Sequence, residues 1–299
     1  MSIVVLGTVA LDSVKTPFGN EKHLLGGSAA HFSMAARLFT QVHLVAIVGK
    51  DFPKKYIHFL KGKNLELASL ITDNGRTFRW EGRYEGDLNT AITLSTELGV
   101  LAGFKPRISD RQRRISHIFL ANVDPDIQRH LLKKMSSPKL VGLDSMNYWI
   151  NHKRRSLVRL LKDVDIYVAN DQEARMLSGE SNLIKAARAC LSFGAKMVLI
   201  KKGEHGVLFL SDKFTFSLPA YPAETVVDPT GAGDTFAGGF MGYLAKSGKI
   251  TPLAIKKALA YGTIAASFNI EDFGLRRTAG LTYKELQKRV NDFKKCVLF

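Results

Sequence analysis

The chain has 299 residues, 45% hydrophobic and 23% charged, the balance of a globular protein with a full buried core and not of a disordered chain. Lys and Arg number 43 against 27 Asp and Glu, a formal net charge of +16, so the surface attracts polyanions or phosphorylated small molecules. The densest basic clusters, RQRR at Arg111–Arg114 and HKRR at His152–Arg155, lack interleaved aromatics and read as a solvated face, which makes nucleic-acid binding a minor alternative.

The start, MSIVVLGTVALD, has no basic stretch or cleavage site and reads as a first buried strand over Ile3–Leu6. No apolar run approaches the ~20 residues of a membrane span. Cys190 and Cys296 fall in helical stretches and form no CxxC pair, so a reducing cytoplasm is the expected setting. From here a unit recurs: an apolar, β-branched run ends in polar residues and an amphipathic helical stretch follows. The runs are Ile3–Asp12, Val42–Asp51, Ile115–Pro125, Leu140–Asn147, Ile166–Glu173 and Met197–Gly206, and TVVDPTGAGD repeats the pattern near residue 230. Such alternation predicts an α/β fold, a mostly parallel sheet with helices on both faces. Ligands bind such sheets outside the carboxyl ends of the strands, where Asp12, Asn122, Asp144, Asn147, Asn170, Glu173, Lys201 and Asp228 all fall. Any one of these residues is as well explained as a turn or helix cap; the set on one rim points to a site.

Two segments break the rhythm. In Thr77–Leu98, Phe78, Trp80 and Tyr84 alternate with Arg79, Glu81 and Arg83, the period of antiparallel strands with one covered face. Ser13–Gly27 reads as a strand pair before a helix that opens at Ser28. These segments, 13–25 and 77–98, are expected to form a small β lid over a core of residues 1–12, 26–76 and 99–299. The aromatic stripe Phe78, Trp80 and Tyr84 suits either a wall for a nucleobase or the core face of the lid, and a homodimer through the lids is expected from it.

The stretch VVDPTGAGDTFAGGFMGYLA, Val226–Ala245, carries the sharpest chemistry. A strand ending at Val227, a turn through Pro229 and Thr230 and a helix from near Gly233 would aim free N–H groups at one spot, where the helix dipole adds positive charge. Gly231, Ala232 and Gly233 leave no bulky side chain in the way, which makes an anion cradle. Asp234, a carboxylate beside that cradle, suits a general base for a hydroxyl attacking a bound phosphoryl group; as a first-turn carboxylate it would merely complement the dipole. Gly238, Gly239 and Gly242 each cost a helix about 1 kcal/mol relative to Ala and imply close backbone packing. Competing motifs fail: GYLAKSGKI from Gly242 has the wrong spacing for a P-loop, no G-x-G-x-x-G follows the first strand, and His31, His43, His58 and His117 show no paired ligand spacing.

DPTGAGDTFAGGFM resembles the C-terminal signature of the PfkB, or ribokinase-like, family of sugar and nucleoside kinases. GTVALD, GGSAAHFSMAARL, NDQEARMLSG, IKKGEHGVLF and ASFNIEDFG are similar to further family segments, so the resemblance spans the chain. It implies a three-layer α/β/α ribokinase-like fold with a β lid, and an ATP-dependent kinase acting on a hydroxyl of a sugar, with a nucleoside as the alternative acceptor. It implies Asp234 as the base and the Gly231, Ala232 and Gly233 amides as the anion hole. Asp12, Gly26, Gly27, Asn122 and Asn147 would hold the acceptor. Asn170, Glu173, Lys201, Gly203, Thr230 and Asn269 would serve the nucleotide, with Mg²⁺ reached from Glu173 through water or phosphate and a monovalent cation as a further cofactor. GLDSMN departs from the family's Asp-x-Asn followed by a basic residue, since two residues separate Asp144 from Asn147 and Tyr148 and Trp149 follow. A non-catalytic metabolite-binding protein on the same fold would be expected to lose the base, which is present here.

Overall fold

Ile3, Val4, Val5 and Leu6 have no solvent exposure, as the unbroken apolar run requires of a strand covered on both faces. They lie in β1 (Ser2–Leu6), inside a nine-stranded sheet of a computed structural model that describes residues 1–297. Its other strands are β4 (Gln41–Gly49), β5 (Leu65–Asp73), β8 (His117–Leu120), β9 (Leu140–Asp144), β10 (Ile166–Asn170), β11 (Met197–Lys201), β12 (Val207–Ser211) and β13 (Thr215–Leu218). The order is β13-β12-β11-β10-β9-β8-β1-β4-β5, parallel except for the β11–β12–β13 meander at one edge.

Alternate residues of β1 feed two cores. Ile3 and Val5 pack with Phe32, Phe240, Leu259 and Phe293 from the helices Ser28–Ala36, Ala232–Ser247, Pro252–Asn269 and Tyr283–Val297. Val4 and Leu6 pack with Leu131, Leu157, Leu177 and Ala187 from the helices Pro125–Leu132, Asn147–Leu161, Asp171–Ser178 and Leu183–Ser192. The result is the expected three-layer α/β/α fold. No described helix is long and apolar enough to cross a membrane. The RQRR cluster falls on the short helix Asp110–Arg113 and the residue after it, and HKRR lies within Asn147–Leu161, at a kink where Lys153 leaves helical geometry.

A second sheet has the order β3-β2-β6-β7, from β2 (Ala10–Thr16), β3 (Gly19–Gly26), β6 (Arg79–Arg83) and β7 (Ile92–Glu97). The pairs β2–β3 and β6–β7 are antiparallel and β2–β6 is parallel. β2 begins at Ala10, so Asp12 belongs to this small sheet and does not end the first run of the large one. Val14, Tyr84 and Leu88 from this sheet and the loop after β6 pack with Phe273 and against Val226 and Val227, which seats the sheet on the loop that leads to Asp228.

That loop corrects another expectation: no strand precedes Asp228. The Val227 N–H donates to the Ile270 carbonyl (2.7 Å), beyond the end of Pro252–Asn269, so the segment is tied to a helix end and not to a sheet edge. The helix that follows begins at Ala232. Its glycines mark contacts on both sides. A Cβ on Gly238 would overlap the Phe32 carbonyl, one on Gly242 would lie 2.9 Å from Ala36 Cα, and one on Gly239 would lie 2.9 Å from the Tyr261 carbonyl. The helix is therefore wedged between Ser28–Ala36 and Pro252–Asn269, at a backbone separation open only to glycine.

Candidate active site

Asp228 is fully buried and organises the turn before this helix. Its Oδ1 accepts from the Thr230 N–H and its Oδ2 from the Gly274 N–H, each at 2.9 Å. Gly231 then takes φ +73° as the helix N-cap, a left-handed conformation that favours glycine, and a side chain there would strike the His31 ring. The Ala232 N–H donates to the Pro229 carbonyl (3.1 Å), so this donor has a partner within the turn. Among the described residues the N–H groups of Gly231, Gly233 and Asp234 have no protein partner. They point from a helix start whose dipole favours an anion.

Beside them sits a cluster of charges from three parallel strands. Lys201 Nζ, at the end of β11, lies 3.0 Å from Asp144 Oδ2, at the end of β9. A Cβ on Gly233 would lie 2.8 Å from the same nitrogen, so the ammonium lies against the cradle. Burial pulls the Lys201 ammonium down, but Asp144, Glu173 and Asp234 outweigh this and hold it above its ordinary value. The Asp234 carboxyl is pushed up to about 7, by burial first and by Asp144 second, with Lys201 opposing. Glu173 rises to about 8, again by burial and then Asp144. Asn170 and Glu173 close a capping box on Asp171–Ser178: Asn170 Oδ1 accepts from the Glu173 N–H (2.7 Å) and Glu173 Oε2 from the Asn170 N–H (2.8 Å). These two side chains are thus fixed by the helix start, and one Glu173 oxygen stays out of the box.

The opposite wall comes from the small sheet and the helix Ser28–Ala36. Asp12 Oδ2 accepts from the Gly27 N–H (3.1 Å), and any side chain at Gly26 would overlap the Asp12 carboxyl. Gly27 itself has φ +93°. Burial pushes Asp12 up to about 7, with Asp228 and Asp234 adding repulsion, which places its carboxyl within electrostatic reach of Asp234. Tyr84 joins them: its oxygen accepts from Thr230 Oγ1 (3.4 Å), and burial raises its phenol, helped by Asp228, Asp12 and Asp234. Asn122 donates through Nδ2 to Met146 Sδ (3.0 Å), while its Oδ1 is buried and has no partner among the described residues.

Other expected residues fall elsewhere. Asn269 is fully buried, donates to the Thr230 carbonyl (2.8 Å) and accepts from Thr235 Oγ1 (2.9 Å), so its amide has partners inside the protein. The Thr230 hydroxyl faces Tyr84. Asn147 is exposed and accepts from the Tyr148 N–H (2.7 Å); among the described residues no hydrogen bond ties it to the cleft. Gly203, at φ +55°, lies under Asn89 of the β6–β7 loop. That loop also reaches Glu204 (Asn89 Nδ2 to Oε1, 3.0 Å) and Gln172 (Nε2 to Thr90 Oγ1, 3.3 Å), so it bridges to the turn after β11 and to the start of Asp171–Ser178. Trp80 lies along its own sheet over Gly82 and donates to Thr93 Oγ1 (3.2 Å); of the aromatic stripe, Tyr84 alone has its polar end by the carboxylates.

A family model described as pfkB family carbohydrate kinase matches residues 115–279. The chain belongs to the PfkB family. A cytidine kinase of Thermococcus kodakarensis is 32% identical over 81% of this chain and 87% of its own. The crystal structure of Methanocaldococcus jannaschii nucleoside kinase, an archaeal member of the ribokinase family, superposes with a TM-score of 0.77 at 21% identity, over 97% of this chain and 98% of that one. Aminoimidazole riboside kinase from Salmonella enterica, complexed with aminoimidazole riboside and an ATP analog, gives 0.76 at 17%, over 97% and 100%. As a PfkB protein the chain is a phosphotransferase that acts on a hydroxyl group of a sugar or nucleoside.

Proposed function

We propose that the protein transfers the γ-phosphoryl group of ATP to a hydroxyl of a ribonucleoside, with Asp234 as general base. The observation that carries this reading is the arrangement at one helix start: open Gly231 and Gly233 amides, a carboxyl brought to about 7 one residue further on, and the Asp12–Gly27 wall facing it. A base with a pKa near the working pH holds a useful unprotonated fraction and still accepts a proton readily. As the acceptor oxygen bonds to the γ-phosphorus and the bond to the ADP oxygen breaks, the hydroxyl proton passes to Asp234. The charge growing on the phosphoryl oxygens meets the Gly231 and Gly233 amides and Lys201.

The charge balance supports a divalent cation. Asp144, Glu173 and Asp234 crowd one ammonium, and their mutual repulsion helps hold Glu173 and Asp234 above the usual carboxylate range, a repulsion that a nearby Mg²⁺ would relieve. Mg²⁺ would be held mainly by phosphates and water, with Glu173 and Asn170 behind them. Bound there, Mg²⁺ would supply charge neutralisation to the phosphate oxygens.

The nucleoside acceptor is supported by the identity to the cytidine kinase; a free sugar is the second reading, favoured by the carbohydrate-kinase description of the matching family model. A panel of nucleosides and sugars assayed for acceptor-dependent ADP release tests both. The highest kcat/KM on a nucleoside is expected. Turnover of free sugars alone would replace the first reading with the second, and no ADP release with any acceptor would defeat both. The same reading pairs two copies through the small sheet, whose outer strand β7 exposes Ile92 and Leu94; sedimentation as a monomer would contradict it.

A further inference from the structure

We infer that His31 is a positioning residue that sets the Thr230–Gly231 turn of the anion cradle from the acceptor side of the cleft. His31 lies in the first turns of Ser28–Ala36, four residues after the Gly27 amide that holds Asp12. Its ring fills the space where a Gly231 side chain would stand. Its Nδ1 is 2.9 Å from Asn269 Oδ1, and Asn269 Nδ2 donates to the Thr230 carbonyl at 2.8 Å. Because Nδ2 is the donor, Oδ1 must accept, so the His31 proton lies on Nδ1. Nε2 is then a buried lone pair, and among the described residues it has no partner. Burial lowers the imidazole below its ordinary value, which keeps the ring neutral and this tautomer in place.

Contact and hydrogen bond act on the same peptide. The ring braces Gly231 from beneath, and the chain His31 to Asn269 to the Thr230 carbonyl fixes the rotation of the Thr230–Gly231 peptide plane. That plane sets where the Gly231 N–H points. Thr235 Oγ1 donates to the same Asn269 oxygen, tying the knot to the helix that carries Asp234. A single helix start thus holds the acceptor-side carboxylate at Gly27 and the phosphoryl-side turn at His31, a little over one turn apart. The knot is wholly buried, with His31 at 1% and Asn269 and Thr235 at 0% exposure, so it touches neither substrate and acts through the turn.

The role rests on the phosphotransferase function above. In His31→Leu, which keeps bulk and removes the donor, kcat at saturating ATP and acceptor should fall about tenfold and Mg·ATP affinity about threefold, with the acceptor KM little changed. Asn269→Ala should lose a similar amount, and the double variant no more than the single ones, because both break one chain. His31→Asn, whose amide can donate to Asn269, should recover most of the loss. A purely structural residue would lower the melting temperature of His31→Leu and leave kcat and nucleotide affinity at wild-type values, and that result overturns the inference. If His31→Leu does not fold, Asn269→Ala is judged by the same two quantities. Wild-type protein that binds Mg·ATP but phosphorylates no acceptor would defeat the function and not this role, which is then read from Mg·ATP affinity: a loss of about threefold supports it and no change overturns it.

Discussion

Lys201→Met separates what the buried ion pair does for the fold from what it does for the reaction. The pair is 3.0 Å long, with side chains 18% and 4% exposed, and two unit charges near 4 Å attract by about 4 kcal/mol at an effective dielectric of about 20. Removing one partner leaves Asp144 buried and uncompensated, so unfolding free energy should fall by about 3 to 5 kcal/mol at neutral pH. Asp234 and Glu173 lose the cation that lowers both, so the base should titrate above about 7 and the alkaline shift should appear in kcat/KM. In Lys201→Met/Asp144→Asn the stranded charge is gone, and denaturant melts should regain most of the lost stability. Turnover should not return: a missing charge-stabilising group costs about 10²-fold to 10³-fold in kcat, and the second change restores none. Steady-state ADP release beside urea unfolding reads both quantities. A double variant with near-wild-type kcat would show that Lys201 serves only to neutralise Asp144.

Gly238→Ala drives a methyl group into the Phe32 carbonyl and should destabilise by about 1 to 3 kcal/mol or more as the two helices part; an unchanged melting temperature would contradict the close approach. The pH response should run in opposite directions for stability and rate. Asp12 and Asp234 rise from 3.8 to about 7 and Glu173 from 4.5 to about 8, so the native state binds these protons more tightly than the unfolded chain. The stability they contribute is full below about pH 4 and is lost as pH rises through about 7 to 8, while kcat/KM rises over the same upper range as Asp234 loses its proton. Melting temperatures that climb from pH 6 to 8 would contradict this, and Asp12→Asn should flatten the fall. Glu173→Gln keeps an oxygen for the Asn170 N–H and should fold, but should need about tenfold more Mg²⁺ for half-maximal rate; an identical Mg²⁺ titration would reduce Glu173 to a helix cap.

What was legible in the sequence follows from locality. The strand-then-helix rhythm, the period-2 segment around Trp80 and the capping residues Asn170 and Glu173 are short-range patterns, and the structure keeps them. Gly238, Gly239 and Gly242 announced close packing because a glycine in mid-helix needs a reason, though not which helices it faced. Val226 and Val227 imitated a strand because a β-branched pair reads alike in a sheet and in a buried loop; the hydrogen bond to Ile270 that decides the matter is over 40 residues away. Asn269 is named only by the resemblance, and nothing local in the sequence announces its partners His31, Thr230 and Thr235. The Lys201–Asp144 pair, the Asp228–Gly274 bond and the meeting of Tyr84 with Thr230 left no trace in spacing, since each joins segments that only the sheet order brings together. Asp12 reads as ending the first strand of the large sheet but lies in β2, because the chain leaves β1 after Leu6 and turns into β2 without a break in apolar character.

The most direct test of the account is kcat of Asp234→Asn with saturating ATP and the preferred acceptor, read beside its thermal melt. Asparagine keeps the size and hydrogen bonding of the side chain and removes the proton acceptor, so kcat should fall by about 10²-fold to 10⁴-fold. Nucleotide affinity should hold or tighten as a negative charge beside the phosphates disappears. The melting temperature at pH 8 should not fall, since the wild-type carboxylate is strained there by burial. An Asp234→Asn protein that turns over within about tenfold of wild type would contradict Asp234 as the base and leave it a first-turn partner of the helix dipole.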